Sequence, residues 1–149
     1  MRSAIIAICA ALLCAIAFMW LTDVSPNEWT IRNFPVSNND VLCFGDSLVT
    51  GVGTDRASGN YPSHLRNLLP RKAEVTADGH PGCTAEEGLQ LLRDSHRHFT
   101  GGTVIVTLGG NDILQHIPWE RTETALEGIF RFLQERGAMV VFTGVQGPL

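Results

Sequence analysis

Residues 103–112 read TVIVTLGGND, an apolar run with β-branched residues at its centre that stops at two glycines, an asparagine and an aspartate. β-branched side chains favour strands, and a short apolar run bounded by turn residues is typical of a strand buried on both faces. The stretch therefore predicts a strand over residues 103–108 and a loop over residues 109–112, at the carboxyl end of that strand.

The chain on either side of this stretch alternates between further strand and helix patterns. Residues 41–44 predict a buried strand, residues 72–77 a weaker one and residues 138–143 a fourth. Helix patterns lie between the strands, from Pro62 to Leu69, from Thr84 onward and from about Pro118 to Arg136. Apolar strands that alternate with helices imply a parallel sheet covered by helices on both faces. The fold class that we predict is α/β, with a three-layer, flavodoxin-like parallel sheet.

Local signals mark the ends of two helices. Thr84 and Glu87 form a capping box, in which each side chain can accept a hydrogen bond from the backbone N–H group of the other residue. The last helix has a stop signal, because Arg136 suits the negative end of a helix and Gly137 suits the turn that follows. Residues 45–60 are rich in Gly, Ser, Thr and Asp and are predicted to be mainly loop.

Three glycine-bearing loops follow predicted strands, at residues 45–53, 78–83 and 109–112. Each loop alone is typical of an ordinary turn or helix start, because Gly, Asn and Ser are common turn formers. In open α/β sheets, however, functional groups gather at the carboxyl ends of the strands. We therefore expect the three loops to meet in space, and it is their combination that indicates a site.

The first loop places Ser47 just past a buried strand and two residues after Gly45. In such a setting a serine hydroxyl can be held exposed on a tight turn between strand and helix. The G-x-S-x-G motif of α/β-hydrolases is not met, since Val49 stands in place of the last glycine. Nucleotide binding is disfavoured as well, because a P-loop lysine and the third glycine of a dinucleotide-binding motif are missing.

Taken together, the three loops resemble the GDSL or SGNH hydrolase family, in the branch of bacterial arylesterases and thioesterase/lysophospholipase-like enzymes. The resemblance lies in FGDSL at residues 44–48, GCT at residues 82–84 and LGGND at residues 108–112, and it extends from Asp40 to the end of the chain. It implies an SGNH-type α/β domain over residues 40–149. It also implies hydrolysis of small-molecule or lipid esters, carboxylic or thio, through an acyl-enzyme, with no metal or organic cofactor.

The resemblance also implies roles for individual residues. Ser47 matches the nucleophile of the family. The oxyanion hole would be formed by the backbone N–H groups of Ser47 and Gly82 and by the side chain of Asn111. These three would be supported by their neighbours Asp46, Gly110 and Asp112.

The same resemblance implies a catalytic histidine in an Asp-x-x-His motif after a fifth strand, and no such motif occurs in the sequence. The chain stops at Leu149, a few residues past the fourth predicted strand, so we expect a truncated domain without the last strand and helix. Among the histidines present, His80 is the best substitute, being two residues from Gly82, and the others are expected at the surface. A serine without a base is a weak nucleophile, so we expect an inactive or crippled esterase. A membrane-tethered binding module or pseudoenzyme is the alternative.

The first segment of the chain differs from the rest. Residues 4–21 form an uninterrupted apolar run after Arg2, just long enough to cross the hydrocarbon core of a membrane. Residues 1–23 are expected to be a signal anchor, or a signal peptide cleaved after Ala17 in the small-x-small sequence AIA. Residues 24–39, mostly polar, predict a linker. The domain would then be membrane-anchored by residues 4–21 and face outward, or be periplasmic or secreted.

Composition and cysteine spacing exclude other kinds of site. The net charge of -4 and the scattered Lys and Arg residues give no basic stripe for nucleic acid. The cysteines show no C-x-x-C spacing, so we predict no metal site. Cys43 is best explained as a small core residue, and a disulfide between Cys43 and Cys83 is the alternative in an oxidising compartment.

Overall fold

The structure is a computed structural model that describes residues 31–54, 59–95 and 99–144. The chain divides into two compact units, Met1–Thr30 and Ile31–Leu149, and all described residues belong to the second. The predicted anchor or signal peptide over residues 1–23 and the first part of the predicted linker therefore lie outside the described residues. Within the described part, no helix has the length and apolar character that crossing a membrane requires.

In the part of the chain that the structure describes, four parallel strands form a single sheet in the order β2-β1-β3-β4. Val41 at the start of β1 lies beside Val75 of β2 on one side and beside Thr103 of β3 on the other, and Thr103 lies beside Met139 of β4. The strands are β1 (Val41–Gly45), β2 (Val75–Gly79), β3 (Thr103–Thr107) and β4 (Met139–Phe142). The α/β class and the parallel sheet that the sequence predicts are confirmed.

Within the described residues, five helices connect the strands. They are α1 (Ser47–Thr50), α2 (Tyr61–Leu68), α3 (Ala85–Ser95), α4 (Gly110–Leu114) and α5 (Trp119–Gln134). Two of them, α1 and α4, are single turns that start directly after β1 and β3, in segments that the sequence analysis took for loop. The difference arises because each begins at a glycine- or aspartate-bearing turn, and such residues are as common in caps as in loops.

The capping box at the start of α3 is confirmed. The backbone N–H of Thr84 donates to Glu87 Oε2 at 2.9 Å, and the backbone N–H of Glu87 faces Thr84 Oγ1 at 3.4 Å. The helix stop predicted at Gly137 is also confirmed, since Gly137 adopts a left-handed φ of 78° just past the last turn of α5. The predicted strand over residues 72–77 is displaced in the structure to Val75–Gly79.

One face of the sheet is closed by α3 and α5. The side chains of Leu42, Phe44, Val104 and Val106 point to this face, where they join a buried cluster with helix residues such as Ile129. Each of these five side chains is essentially excluded from solvent. This face therefore contains the main hydrophobic core of the domain.

The opposite face is covered only in part. Cys43 and Val49 form a smaller buried cluster there, against Leu65 of α2. Ile105 of β3 is half-buried, and its neighbour Val141 of β4 is 41% exposed. Our expectation of a sheet covered on both faces is thus met on one face only within the described residues. The uncovered part is a groove between α2 and the strands β3 and β4.

The two described cysteines lie on different faces of the sheet. Cys43 belongs to the cluster under α2, whereas Cys83 belongs to the core under α3 and α5. Both are buried and free. The alternative of a Cys43–Cys83 disulfide is therefore wrong, because the sheet itself stands between the two side chains, and the interpretation of Cys43 as a small core residue is confirmed.

Candidate active site

The carboxyl end of β1 is held tightly against the end of β3. The N–H of Asp46 donates to the carbonyl oxygen of Thr107 at 3.0 Å. A Cβ atom at Gly45 would overlap that same carbonyl, so no side chain can be accommodated there. The close approach explains why a glycine ends the strand, and it fixes the position from which Ser47 starts α1 as a partly exposed residue.

Asp46 connects the serine loop to the loop after β3. It is 4% exposed, and its Oδ1 accepts the N–H of Leu48 at 2.9 Å, which caps α1. Its Oδ2 lies 3.4 Å from Asn111 Nδ2. Gly110 lies beside it as well, since a Cβ atom at Gly110 would be 3.7 Å from the same oxygen.

Asn111 connects both of these loops to the loop after β2. Its Nδ2 donates to the carbonyl oxygen of Cys83 at 2.9 Å, a normal length, and lies at the longer distance of 3.4 Å from Asp46. Gln115, one turn further along, reaches the carbonyl oxygen of Gly82 at 3.4 Å. The bond to Cys83 fixes the orientation of the amide, while the second amide hydrogen is held only weakly.

Asp112 holds the same loops together from below. It is 1% exposed. Its Oδ2 accepts the N–H of Ala85 at 2.9 Å, and its Oδ1 accepts the hydroxyl of Thr122 at 3.0 Å. The N-terminus of α3 supplies both a free N–H group and a favourable dipole for this carboxylate. Asp112 therefore fixes the third loop to α3 and α5.

Two backbone donors stay free at the centre of this arrangement. Neither the N–H of Ser47 nor the N–H of Gly82 has a protein acceptor in the part of the chain that the structure describes. Gly82 has a φ of 85°, a left-handed conformation that side chains rarely adopt. Unpaired N–H groups of this kind can bind an anionic oxygen.

The structure thus brings together the three loops that the sequence predicts to converge. Direct hydrogen bonds of Asn111 connect it to Asp46 and to Cys83, the immediate neighbours of Ser47 and Gly82. The convergence of the loops is a property of the fold. The catalytic and oxyanion-binding roles of these residues stay predictions, to which we return below.

His80 lies at the end of β2 and is oriented by its own strand. Its Nε2 is buried and lies 2.9 Å from Asp78 Oδ1, without the geometry of a hydrogen bond. Its ring packs at 6.2 Å from the ring of Phe44, and its backbone N–H donates to the Gly45 carbonyl at 2.8 Å. The imidazole ring of His80 contacts Asp78 and Phe44, and within the described residues no contact joins the ring to Ser47.

The other histidines take no part in this cluster of loops. His64 is exposed on α2, and His116 is exposed after α4, with a left-handed φ of 56°. His96 and His98 lie outside the described residues. The surface positions expected for His64 and His116 are therefore observed, although His64 borders the groove described next.

The groove between α2 and β3–β4 begins directly beside the site and has a volume of about 750 Å³. Its walls are mainly apolar. Residues that line it include Leu48, Val52, Leu65, Leu68, Ile105 and Val141, together with Asp46 and Gly110 of the site. An apolar hollow with a few convergent polar groups is the usual form of a small-molecule site.

A chain of three hydroxyl groups lies in this groove, and the sequence analysis missed it. Thr107 Oγ1 is 3.3 Å from the hydroxyl of Tyr61 and 3.2 Å from Thr143 Oγ1. Burial raises the pKa of Tyr61 far above its ordinary value, so its hydroxyl stays protonated. The three residues come from α2, β3 and the end of β4, and no sequence spacing relates them. The only sequence feature that could have indicated the hydroxyl chain is the position of Thr107 at the end of a strand.

Metal-binding residues do not cluster in the described part of the domain, where no group of three or more His, Cys, Asp or Glu side chains is placed to share an ion. Cys83 stands next to Gly82, but its thiol is buried and donates to the Thr84 carbonyl at 3.3 Å. Burial, with the nearby carboxylates of Glu87 and Asp112, raises its pKa to about 11. The thiol is therefore protonated and a poor nucleophile at neutral pH.

The fold and site define an α/β domain with a parallel sheet, with a serine just past the end of the first strand and, within the described residues, unpaired N–H donors beside it. The model of the GDSL-like Lipase/Acylhydrolase family matches residues 43–149. The chain belongs to this family.

Curated relatives and solved structures agree with this assignment. Thioesterase 1/protease 1/lysophospholipase L1 of Escherichia coli strain K12 is 29% identical over 108 residues, which cover 72% of this chain and 51% of that protein. The chain thus spans about half the length of this curated relative. The crystal structure of AlinE4, an SGNH-hydrolase family esterase, is 31% identical with a TM-score of 0.66, covering 74% of this chain and 61% of that one. The structure of TesA is 26% identical with a TM-score of 0.67, covering 74% and 62%.

Proposed function

We propose that this domain carries the nucleophile and the oxyanion hole of a serine ester hydrolase. One observation carries the proposal. The side chain of Asn111 bridges the loops of Ser47 and Gly82, and the N–H groups of both residues are free. Donors that converge from three loops beside one serine can stabilise the oxyanion of a tetrahedral intermediate.

In the proposed reaction, Ser47 Oγ attacks the carbonyl carbon of an ester, and the carbonyl oxygen becomes an oxyanion. The N–H groups of Ser47 and Gly82 and the amide of Asn111 donate to that oxygen. The C–O or C–S bond of the ester then breaks, the alcohol or thiol leaves with the proton given up by Ser47, and water hydrolyses the acyl-serine. The weak contact of Asn111 with Asp46, at 3.4 Å, can be exchanged for the oxyanion without loss of the bond to Cys83.

The serine proton needs an acceptor, and within residues 31–54, 59–95 and 99–144 no histidine is placed beside Ser47. No Asp-x-x-His motif occurs in the sequence, and His80 faces Asp78. We therefore propose that this chain is crippled in catalysis. We propose as well that the domain is incomplete, lacking a last strand and helix. The open part of the sheet face and the coverage of relatives, about half in the curated case, support this view.

The proposed substrate is a small-molecule or lipid ester, carboxylic or thio. Its support is the family, together with relatives whose names include thioesterase, lysophospholipase and esterase. The apolar groove beside Asp46 is compatible with an acyl chain. The alternative proposal, a binding module that uses the same cleft without turnover, is favoured only by the missing base.

Labelling with a fluorophosphonate probe tests the proposal, because it reports attack by an activated serine and needs no knowledge of the substrate. The E. coli relative is the positive control and Ser47→Ala the negative one. We expect the chain alone to be labelled at least about a thousandfold more slowly than the relative, as when a triad member is lost. Fusion to the C-terminal part of the relative, beyond its region of similarity, should restore labelling that depends on Ser47.

Each other outcome contradicts a specific part of the proposal. Rapid, Ser47-dependent labelling of the chain alone would show that a base is present, and loss of that labelling in His80→Gln would identify it. A folded fusion that is never labelled at Ser47 would refute the esterase proposal and favour the binding module. In the fusion, Asn111→Ala should slow labelling by about a hundredfold, the usual effect of losing one oxyanion donor.

A further inference from the structure

A tight turn after β2 carries the free N–H of Gly82. The N–H of Cys83 donates to the carbonyl oxygen of His80 at 3.0 Å, which closes a four-residue β-turn with Pro81 and Gly82 at its centre. The φ of 85° at Gly82 is compatible with turn types II and I′. Type I′ also needs a positive φ at the first central position, which the ring of Pro81 forbids. The turn is therefore of type II.

The type of this turn decides which group the peptide between Pro81 and Gly82 presents. Types I and II differ by about a half rotation of the central peptide, which exchanges the positions of its N–H and C=O groups. A Cβ atom at Gly82 would have no atom within 4 Å, so lack of space does not explain the glycine. Its left-handed φ does. The direction of the Gly82 N–H thus depends on the backbone conformation of the turn.

Packing supports the centre of this turn only weakly, because Pro81 and Gly82 are both exposed. The firm hydrogen bonds of the loop lie on either side of it. Before the centre, the N–H of His80 donates to the last carbonyl group of β1 at 2.8 Å. After it, the carbonyl oxygen of Cys83 and the N–H of Ala85 are each bound by a side chain of α4 at 2.9 Å. The Gly82 peptide therefore depends on a contact of its own.

Gln115, which directly follows α4, supplies that contact. Its Nε2 donates to the carbonyl oxygen of Gly82 at 3.4 Å, a long hydrogen bond from an exposed side chain. The backbone of Gln115 is itself fixed, since its N–H donates to the carbonyl oxygen of Asn111 at 2.9 Å. Residues four apart in a helical turn share one face. The amides of Asn111 and Gln115 accordingly bind two successive carbonyl groups of one loop, those of Cys83 and Gly82.

We propose that Gln115 is a positioning residue of the oxyanion hole. The hole requires the N–H of Gly82 and the amide of Asn111 to converge on one oxygen. Because Gln115 is joined to Asn111 through the backbone and to Gly82 through its side chain, it fixes the separation of these two donors. It touches no reacting atom and acts through Gly82. The inference rests on the proposed function, which supplies the oxyanion.

Nitrogen-15 relaxation of the full chain in detergent micelles tests the positioning without any need for catalysis. Gln115→Met keeps the length of the side chain but removes the donor. We expect the order parameter of the Gly82 N–H to fall from about 0.85, typical of a rigid backbone, towards about 0.6 in this variant. Gln115→Arg, which retains donor groups, should restore the higher value. The order parameter of Ala85, which Asp112 holds, should be the same in all three chains.

Gln90 offers a matched control variant. Its exposed amide donates to Asp94 at 3.1 Å, and it borders the same hollow as Pro81 and Gly82. Gln90→Met therefore makes the same chemical change close to the turn and should leave the order parameter of Gly82 unaltered. An unchanged order parameter in Gln115→Met, or an equal fall in Gln90→Met, would overturn the proposal.

Labelling of the fusion with the fluorophosphonate probe measures the consequence for the reaction. Gln115→Met should lower the maximal rate constant of Ser47 labelling about two- to tenfold, the effect of one uncharged hydrogen bond. The half-saturating concentration of the probe should not change, and Gln115→Arg should recover the rate. A raised half-saturating concentration at an unchanged rate would overturn the proposal, because Gln115 would then bind the probe itself.

The two measurements distinguish a failure of this inference from a failure of the proposed function. A fusion that is labelled equally fast with and without Gln115→Met refutes the positioning role and leaves the esterase proposal intact. A fusion that is never labelled at Ser47 refutes the esterase proposal and with it the oxyanion role. In that case the order parameter of Gly82 still decides whether Gln115 holds the turn.

Discussion

The two faces of the sheet are built from the same strands but differ in how they are covered. Under α3 and α5, the side chains of Phe44, Val104 and Val106 are fully buried in one continuous core. On the other face, Cys43 is buried under α2, while Val141 at the β4 side is 41% exposed. The closed face holds the loops of the site in position, and the partly open face leaves space beside them.

Because of this difference, the closed face stabilises the fold, whereas the partly open face gives access to the site. The contacts that fix Asn111 and the loop of Gly82 are made on the closed face, through Asp112 and the start of α3. The groove on the other face carries the hydroxyl chain of Tyr61, Thr107 and Thr143, which holds no loop of the site. Substitutions on the two faces should therefore have unequal effects on folding.

The largest difference is expected for core truncation. Ile129→Ala removes a fully buried side chain from the closed face and should lower the free energy of unfolding by about 3 to 4 kcal/mol. Ile105→Ala, on the partly open face, should lower it by only about 1 kcal/mol, because the half-buried side chain leaves a smaller cavity. Urea denaturation followed by circular dichroism measures both. Equal losses would contradict the distinction between the faces.

Removal of a polar contact should also destabilise the protein more on the closed face than on the partly open face, but the difference should be smaller than for core truncation. Asp112→Ala leaves the N–H of Ala85 and the hydroxyl of Thr122 without a partner in a buried site, which should cost about 2 to 3 kcal/mol. Thr143→Val removes a hydroxyl contact at an exposed residue and should change stability by less than about 0.5 kcal/mol. The same denaturation experiment compares them, and a larger loss for Thr143→Val would reverse the assignment.

The helix caps of α3 and α2 should contribute similar free energies of stabilisation, but only the contribution of the α3 cap should change with pH. The backbone N–H of Thr84, and then its hydroxyl, hold the pKa of Glu87 below its usual range, so the charged form stabilises the fold at neutral pH. This contribution is lost as the pH falls through the lowered pKa. Glu87→Gln should therefore cost about 0.5 kcal/mol at pH 7 and nothing in acid.

Asn60 offers the uncharged comparison on the other face, since its side chain accepts the N–H of Ser63 at 3.0 Å at the start of α2. Asn60→Ala should cost about 1 kcal/mol, and this deficit should persist in acid because no proton is involved. Thermal melts of both variants at neutral and acidic pH measure the contrast. A loss of stability in Glu87→Gln that stays constant with pH would show that the charge of Glu87 does not stabilise the fold.

The sequence predicts those parts of the fold in which local signals and burial agree. The run TVIVT forms β3 at the predicted place, and Thr84 and Glu87 make the capping box that their spacing indicates. The loops after β1, β2 and β3 meet as expected, because parallel strands bring their carboxyl ends to one edge. Ser47, Gly82 and Asn111, the residues that the sequence predicts for the site, lie on these loops and are therefore at the same edge of the sheet.

Other features depend on tertiary packing and could not be predicted. The alternation of Ala73, Val75 and Ala77 suggests a strand that starts three residues and ends two residues before β2 does. β2 lies at the edge of the sheet, where only Val75 is buried, so burial gives little signal for its bounds. The hydroxyl chain around Thr107 joins three distant segments, and the groove exists only once α2 has packed on the sheet. Neither leaves a periodic pattern in the sequence.

The position of the two cysteines has a consequence for the redox behaviour of the domain. The sheet lies between Cys43 and Cys83, and burial raises the pKa of each thiol. Neither thiol can reach the other, and neither is ionised enough to attack an oxidant at neutral pH. The folded domain should therefore be indifferent to the glutathione potential of its surroundings.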